Sequence, residues 1–260
     1  MVVNKKHPAE VVAEASGYPF ARPGHSFLFL DGEVEPLPAL DLAGLDARLA
    51  AHGLPLMAAR TPVLAYGANA APERLALKFA PLQPGIGIPV LQARLFDFDI
   101  VHACHFSSYG AIPATLQVSR GTVVDVAVTW LDDRALARMT DTELGNANYA
   151  YGLLHDVHIE VSGLAPLTKV ASYWTRRGCL NLGQGPIALS AISAEARDFL
   201  SMAKRDVLAA ARDHFAPGAA LDDFIVETVA DADLRRARST QLADQAVPFL
   251  YDGIEILITG

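Results

Sequence analysis

The sequence predicts an α+β fold in which a mixed β-sheet carries packed helices and the chain extends beyond the sheet at both ends. Two observations predict this class. Residues 61–176 contain short β-type runs broken by loops, and beyond residue 177 apolar residues recur at helical spacing. We therefore divide the chain into an N-terminal extension over 1–60, a core over 61–176 and a mostly helical C-terminal extension over 177–260.

The N-terminal extension is predicted to contain two helices and a strand. A short amphipathic helix is expected near residues 9–15, and the apolar run 27–30 before an Asp-Gly pair is typical of a strand that ends in a turn. Asp41 is a suitable N-cap for a second helix, and Gly53 is a suitable stop.

One helix is predicted between the strand at 122–131 and Glu143. This helix opens at Asp132 and closes near Asp141, so that Glu143 is expected just after its end. The predicted strands are 63–66, 90–102, 112–118, 122–131, 155–161 and 168–174.

The C-terminal extension begins with a Gly-rich stretch over 178–186, which is typical of a linker. Helical spacing of apolar residues then predicts a helix that starts at Ser193, followed by one or two more. The run 248–258 predicts a final strand.

Composition narrows the classes of protein and partner. Of the 260 residues, 52% are hydrophobic and 19% are charged, a balance that favours a folded core over disorder. The net charge of −8 argues against nucleic acids and anionic membranes, and no apolar run reaches the length of a membrane span. With two cysteines and no apolar signal segment, we expect a cytoplasmic protein.

A loop at Tyr66-Gly67-Ala68-Asn69 joins a predicted strand to a helix whose first residue is Pro72. Backbone amides in such a turn can point outward without partners and bind a carboxylate or an oxyanion. We expect Gly67 to adopt a positive φ, because glycine tolerates that conformation best.

Two pairs of histidines have the spacing of three residues that invites comparison with metal sites: His102 with His105, and His155 with His158. Both pairs fall in strand-like runs, where residues three apart face opposite sides. We therefore expect no metal and no cofactor, and four ordinary surface or half-buried histidines. Cys104 is expected to be a buried free thiol.

The order of these elements resembles that of the γ-glutamyl-cyclotransferase-like superfamily over about residues 63–174. Its members have a strand ending in a YG-S/T-N loop, three further strand motifs, a short helix, an LD-x-x-E-G element and a tyrosine. The corresponding stretches here are 65–69, 93–98, 114–116, 126–131, 139–143 and Tyr149. The resemblance implies that the mixed sheet is barrel-like.

The resemblance also implies a reaction: the release of 5-oxoproline from a γ-glutamyl amine or amide by intramolecular attack, without a cofactor. Glutathione, γ-glutamyl dipeptides and carrier-linked or antibiotic-linked γ-glutamyl groups belong to the implied substrate class, and a homodimer is left open. Glu143 would be the general acid/base. The residues implied to hold the substrate are Tyr66, Gly67, Ala68, Asn69 and Tyr149.

A competing interpretation is a non-catalytic small-molecule-binding or scaffold protein that keeps the fold. Two departures from the family pattern favour it: Ala68 replaces the usual Ser or Thr, and Leu144 replaces the glycine after the glutamate. An open pocket shared by Glu143 and the 66–69 loop would favour the enzyme. A pocket filled by Leu144 or by an extension would favour the competing interpretation.

Overall fold

The structure, a computed structural model, describes residues 6–145 and 147–259. In the N-terminal extension, the predicted helices and the strand at 27–30 are confirmed, and a second strand completes a hairpin. These elements are α1 (Pro8–Gly17), β1 (Phe27–Leu30), β2 (Glu33–Pro36) and α2 (Leu42–Ala51).

The core contains the predicted order of strands around helices. Its elements are β3 (Thr61–Ala65), α3 (Pro72–Phe79), β4 (Gly87–His102), β5 (Ala114–Leu131), α4 (Asp133–Leu144), β6 (Tyr149–Val161) and β7 (Leu167–Thr175). The prediction that Glu143 follows the helix is wrong, because α4 continues to Leu144 and carries Glu143 in its last turn.

The strands predicted at 112–118 and 122–131 are one strand, β5, so the predicted break at Gly121 is wrong. Gly121 has φ +82°, and its amide donates to the Asp97 carboxylate at 2.7 Å. Opposite it, the β4–β5 register shifts between Phe96 and Phe98. The glycine therefore forms an irregularity within a continuous ladder, and the ladder resumes on both sides of it.

Five strands close into a ring. Each of β4–β5, β5–β3, β3–β7, β7–β6 and β6–β4 is a hydrogen-bonded pair. The β3–β7 pair is parallel and the other four are antiparallel, so the sheet is mixed. The predicted α+β class with a barrel-like sheet and packed helices is confirmed.

The two faces of this ring bury different groups, because successive residues of a strand point to opposite sides. Residues that fill the interior include Leu64, Leu91, Leu95, Val126 and Val128. Residues between the outer face and the helices α3 and α4 include Val63, Val90, Leu75, Phe79 and Met139. The outer cluster fixes α3 and α4 beside each other on the barrel.

The C-terminal extension contains more strand than predicted. Its elements are β8 (Ile187–Leu189), β9 (Ala194–Glu195), β10 (Leu200–Met202), α5 (Lys204–Phe215), α6 (Leu221–Ala230), α7 (Ala232–Leu242) and β11 (Ile254–Thr259). A helix starting at Ser193 is wrong, because β9 pairs with β5, β10 pairs with β8, and Ala196 has φ +50°. The predicted final strand is shorter, begins at Ile254 and pairs with β6.

The two extensions pack against each other and against the core. Helix α1 buries Val11 and Ala15 in the same apolar cluster as Phe224 and Ile225 of α6 and Phe106 of the core. This cluster ties the first helix of the described chain to its late helices. Within the described ranges, no helix is long and apolar enough to cross a membrane.

Candidate functional site

The candidate site lies where three barrel strands meet at one end. Because β3 and β7 are parallel neighbours, their C-terminal ends lie side by side. Tyr66 follows β3, and its hydroxyl donates to the backbone carbonyl of Tyr173 in β7. Tyr149 begins β6 opposite Thr175, the last residue of β7. Strand pairing therefore brings Tyr66 and Tyr149, 83 positions apart in the sequence numbering, to one end of the barrel.

A cavity of about 470 Å³ opens at this end. All six residues singled out in the sequence line it; their catalytic and binding roles remain predictions. They are Tyr66, Gly67, Ala68, Asn69, Glu143 and Tyr149. Leu144 is absent from its wall and packs instead beside the outer-face cluster, so the cavity is not filled by this departure from the family pattern.

The backbone of Gly67 differs from expectation: its φ is −122° and its ψ is −137°, so the predicted positive φ is wrong. A side chain is excluded here by crowding. A Cβ atom built on Gly67 would overlap the hydroxyl of Tyr18, which accepts a hydrogen bond from the Ala114 amide at 2.7 Å. Glycine is thus needed for the close approach of the N-terminal extension to the loop.

The loop also presents backbone donors. A single 3-10 turn follows Gly67, in which the amides of Ala70 and Ala71 donate to the carbonyls of Gly67 and Ala68. The amides of Ala68 and Asn69 have no acceptor within residues 6–145 and 147–259. Two successive unpaired amides at a cavity wall can bind an anion or a developing oxyanion.

Glu143 is held by two donors from the loop-helix segment. Its Oε1 accepts from Asn69 Nδ2 at 3.0 Å and lies 2.5 Å from Lys78 Nζ. Lys78, in the last turn of α3, also donates to Asn69 Oδ1 at 2.6 Å. The side chains of Lys78 and Glu143 are only 13% and 19% exposed, so this ion pair is largely shielded from solvent.

The ionisation of Glu143 reflects opposing effects. Burial alone raises the pKa of its carboxyl group, because the charged form loses hydration. The charge and hydrogen bond of Lys78, together with the hydrogen bond of Asn69, outweigh burial and lower the pKa below its ordinary value of 4.5. Glu143 is therefore a carboxylate at neutral pH.

Phenol groups surround this carboxylate. Burial, and then the nearby charge of Glu143 among other groups, raises the pKa of five tyrosines, that of Tyr109 to about 12. Their hydroxyls stay neutral at neutral pH and can donate hydrogen bonds. The five are Tyr18, Tyr66, Tyr109, Tyr149 and Tyr173.

His105 forms the cavity wall beyond Tyr149, with their ring centroids 5.3 Å apart. The expectation of surface or half-buried histidines is wrong for His102 and His105, which are both buried. Burial, and then the charge of Arg177, lowers the pKa of His105 to about 3, so its ring is neutral. No cluster of metal-binding side chains is found in the described parts of the chain.

Sequence reasoning missed several cavity residues. Lys78 could have been found from the sequence. It falls between Leu75 and Phe79 on the buried face of an amphipathic helix, where a cation needs a partner. No sequence pattern marks Tyr18 or Arg235 as a cavity residue. Their positions at the cavity depend on packing between distant segments, which no local pattern encodes.

Fold and cavity together define an α+β protein with a candidate small-molecule site at one end of a five-stranded barrel. Two solved structures are similar to the chain: one described as a gamma-glutamyl cyclotransferase, the other as an uncharacterized protein from Homo sapiens. Each shows 15% identity and a TM-score of 0.37, covering 75% of this chain and 92% of the other. No protein-family model matches the chain, and no curated protein matches it either.

Proposed function

We propose that this protein releases 5-oxoproline from a γ-glutamyl amine or amide, with Glu143 as the general acid/base. One observation carries the proposal: Glu143 and the 66–69 loop share a cavity, with Asn69 Nδ2 only 3.0 Å from the Glu143 carboxylate. A proton acceptor and unpaired backbone donors are the two elements that intramolecular acyl transfer needs.

The reaction begins with the α-ammonium of the γ-glutamyl group beside Glu143. The carboxylate takes one proton, and the freed amine attacks the γ-carbonyl carbon. The amides of Ala68 and Asn69 hold the resulting oxyanion. Glu143 returns the proton to the departing nitrogen and the C–N bond breaks. The ring nitrogen gives its second proton to the released amine, so the products are 5-oxoproline and an ammonium compound.

Lys78 occupies the place that this mechanism assigns to the substrate's ammonium. Its own ammonium lies 2.5 Å from Glu143 Oε1, so an incoming α-ammonium replaces one cation by another of the same kind. The substrate ammonium keeps Glu143 charged after Lys78 moves away, until the proton is transferred. Burial then favours the neutral carboxyl group that forms, because the charged form lacks hydration.

The magnitudes are adequate for a site without a cofactor. A positioned base contributes about 10²–10⁴-fold to a rate, and removal of one oxyanion donor costs about 10²–10³-fold. Because nucleophile and electrophile belong to one molecule, binding the folded substrate supplies much of the remaining advantage by proximity.

The test is a mass-spectrometric search for 5-oxoproline after incubation with glutathione, γ-glutamyl dipeptides and γ-glutamyl amines. Glu143→Gln keeps the shape of the side chain and removes the base, so kcat should fall by about 10²-fold or more. Glu33→Gln makes the same change at an exposed position of β2 and should leave kcat unchanged. Equal rates for Glu143→Gln and the wild type would exclude Glu143 from the mechanism.

The alternative, a non-catalytic small-molecule-binding or scaffold protein, has one observation in its favour. The Lys78–Glu143 ion pair lowers the pKa of the carboxyl group, which suits a binding wall better than a base. Calorimetric binding of these compounds without any 5-oxoproline would support this alternative.

A further inference from the structure

Among the charged side chains that line the cavity, positive ones outnumber negative ones. The whole chain, by contrast, has a net charge of −8. Glu143 is the single carboxylate among the described residues that line the cavity. The cationic residues that line it are Arg74, Lys78, Arg177, Arg235 and Arg236.

Three of these cations are neutralised by carboxylates. Lys78 pairs with Glu143, as described above. Arg74 lies 3.0 Å from Glu14 of α1, and Arg236 pairs with Asp233 of its own helix. In the resting protein each of these three cations therefore has a carboxylate partner.

Arg177 and Arg235 have only neutral partners in the part of the chain that the structure describes. Arg177 Nε donates to Asn148 Oδ1 at 2.8 Å, and no acceptor within those ranges engages its two terminal nitrogens. Arg235 Nη1 donates to the carbonyls of Thr228 and Val229, at 3.1 and 2.9 Å. Two half-buried guanidinium groups thus retain donors and uncompensated charge at the cavity.

These two arginines lie at the part of the cavity wall around His105. Arg177 Nε donates to Asn148, the residue before Tyr149, and the ring of Tyr149 contacts His105. The helix α7, which carries Arg235, is fastened next to His105, because Ser239 Oγ accepts from the Phe106 amide at 3.0 Å.

Resting on the proposed function, we propose that Arg177 and Arg235 form an anion subsite for the leaving part of the substrate. The γ-glutamyl group sits between the 66–69 loop and Glu143, and the amine to be released carries a carboxylate or a phosphate toward the two arginines. Guanidinium groups bind both kinds of anion through paired, charge-assisted hydrogen bonds.

The cavity is large enough for this arrangement. Its volume of about 470 Å³ corresponds to roughly fifteen water molecules, which is more than a γ-glutamyl group alone fills. An anionic leaving part offsets the charge of the arginines, whereas a cationic leaving part is repelled. The subsite therefore selects γ-glutamyl compounds with an acidic amine component and rejects γ-glutamyl polyamines.

Four compounds that differ only in the leaving part test this selection. γ-Glutamyl-alanine carries a carboxylate, γ-glutamyl-alanine amide is its neutral counterpart, γ-glutamyl-phosphoethanolamine carries a phosphate, and γ-glutamyl-putrescine carries an ammonium. The wild-type protein should favour one or both anionic compounds over the neutral amide by about tenfold or more in kcat/KM, and should accept the putrescine compound least. Comparison of γ-glutamyl-alanine with γ-glutamyl-phosphoethanolamine shows whether the two arginines prefer a carboxylate or a phosphate.

The variants Arg177→Gln and Arg235→Gln remove one charge each. Each should raise KM for the anionic compounds by about tenfold, while KM for the neutral amide stays constant, because the amide never used the charge. Arg177→Lys should restore part of the loss. The matched control is Arg120→Gln, an exposed arginine in β5 that is not part of the cavity wall, and thermal unfolding verifies that each variant folds.

Calorimetric titration of the same compounds into the wild-type protein, in which Lys78 keeps its carboxylate partner, separates this proposal from the proposed function. If no compound releases 5-oxoproline but the anionic ones bind about tenfold more tightly than the amide, the function is wrong and the subsite stands. Equal affinity and equal turnover for all four compounds would overturn the subsite. Equal losses for every compound in Arg177→Gln would also overturn it, because the arginine would then hold the shared γ-glutamyl carboxylate. If none of the four compounds binds, both proposals are wrong.

Discussion

At the scale of single residues, Lys78 sets the chemistry of Glu143. A carboxylate beside an ammonium at 2.5 Å stays ionised, yet a general base works best when its pKa lies closer to the working pH. The ion pair therefore keeps Glu143 charged in the resting protein, and its removal makes the carboxylate more basic.

Changing Lys78 to Met should shift the acidic limb of the kcat/KM profile for 5-oxoproline release to higher pH. In the wild type the pKa of Glu143 is lowered, so the base stays unprotonated down to below 4.5. Without Lys78, burial raises that pKa, and protonation removes the base earlier as pH falls. The profile is measured in a constant-ionic-strength buffer series. Lys169→Met, at an exposed position of β7, should leave it in place, and an unmoved limb in Lys78→Met would contradict the role of the ion pair.

Changing Gly67 to Ala should destabilise the protein by about 1–3 kcal/mol, because the new methyl group overlaps the hydroxyl of Tyr18. Chemical denaturation measures the loss. Gly24→Ala is the control, since nothing lies within 4 Å of the added methyl there. In the Tyr18→Phe background the same change should cost less, and an additive double-mutant cycle would rule out the overlap as the cause.

Glu143 and the 66–69 loop could be singled out because each lies in a short stretch that resembles a family motif, and their roles stay predictions. Gly67 was assigned for the wrong reason. Its φ is −122° and not positive, and a side chain is excluded by the hydroxyl of Tyr18, 49 positions earlier in the sequence numbering. A contact between distant segments leaves no trace in the residues around the loop.

At the scale of elements, the pattern of apolar residues predicted most of the strands. It failed where pairing with a neighbouring strand determines the conformation. Gly121 has the composition of a strand break, yet β5 continues through it because β4 and the Asp97 side chain supply partners across the gap. Residues 194–202 have helical spacing of apolar side chains, yet they add short strands to edges of the sheet. In both places a neighbouring strand outweighs the local preference.

One buried hydroxyl joins α7 to the core segment at Phe106. Changing Ser239 to Ala leaves the Phe106 amide without its acceptor, which should cost about 1–3 kcal/mol of unfolding free energy. Because α7 also carries Arg235, the affinity for anionic γ-glutamyl compounds should fall in the same variant. Thr240→Ala, at the next and exposed position, should change neither quantity. Unchanged stability in Ser239→Ala would show that this bond does not fix the helix.

At the scale of the whole molecule, the two extensions share strand pairing and apolar contacts with the core. The cluster of α1 and α6 includes Phe106 of the core, and β11 pairs with the barrel strand β6. We therefore expect the extensions and the barrel to unfold together.

Changing Phe224 to Ala tests this expectation. The side chain is buried at the centre of the helical cluster, so its truncation should cost about 3–5 kcal/mol. The two tryptophans, Trp130 and Trp174, lie in barrel strands outside the helical cluster of Phe224, so their fluorescence reports the barrel together with Phe249, which contacts Trp174. A shift of the fluorescence transition would show one cooperative unit, whereas a shift confined to far-UV circular dichroism would show that the extensions unfold separately. Leu250→Ala, at a position 75% exposed, is the control.

The cavity wall contains Tyr18 from the N-terminal extension, Glu143 from the core and Arg235 from α7. Because all three segments form the wall, binding of a ligand in the cavity affects how long the folded protein persists. A ligand that binds only the assembled wall adds its binding free energy to the stability of all three segments at once, about 2.7 kcal/mol at a concentration one hundred times its Kd. Proteases attack the opened chain, so its degradation slows as the ligand accumulates. The amount of this protein in a cell would then follow the supply of the compound that it binds.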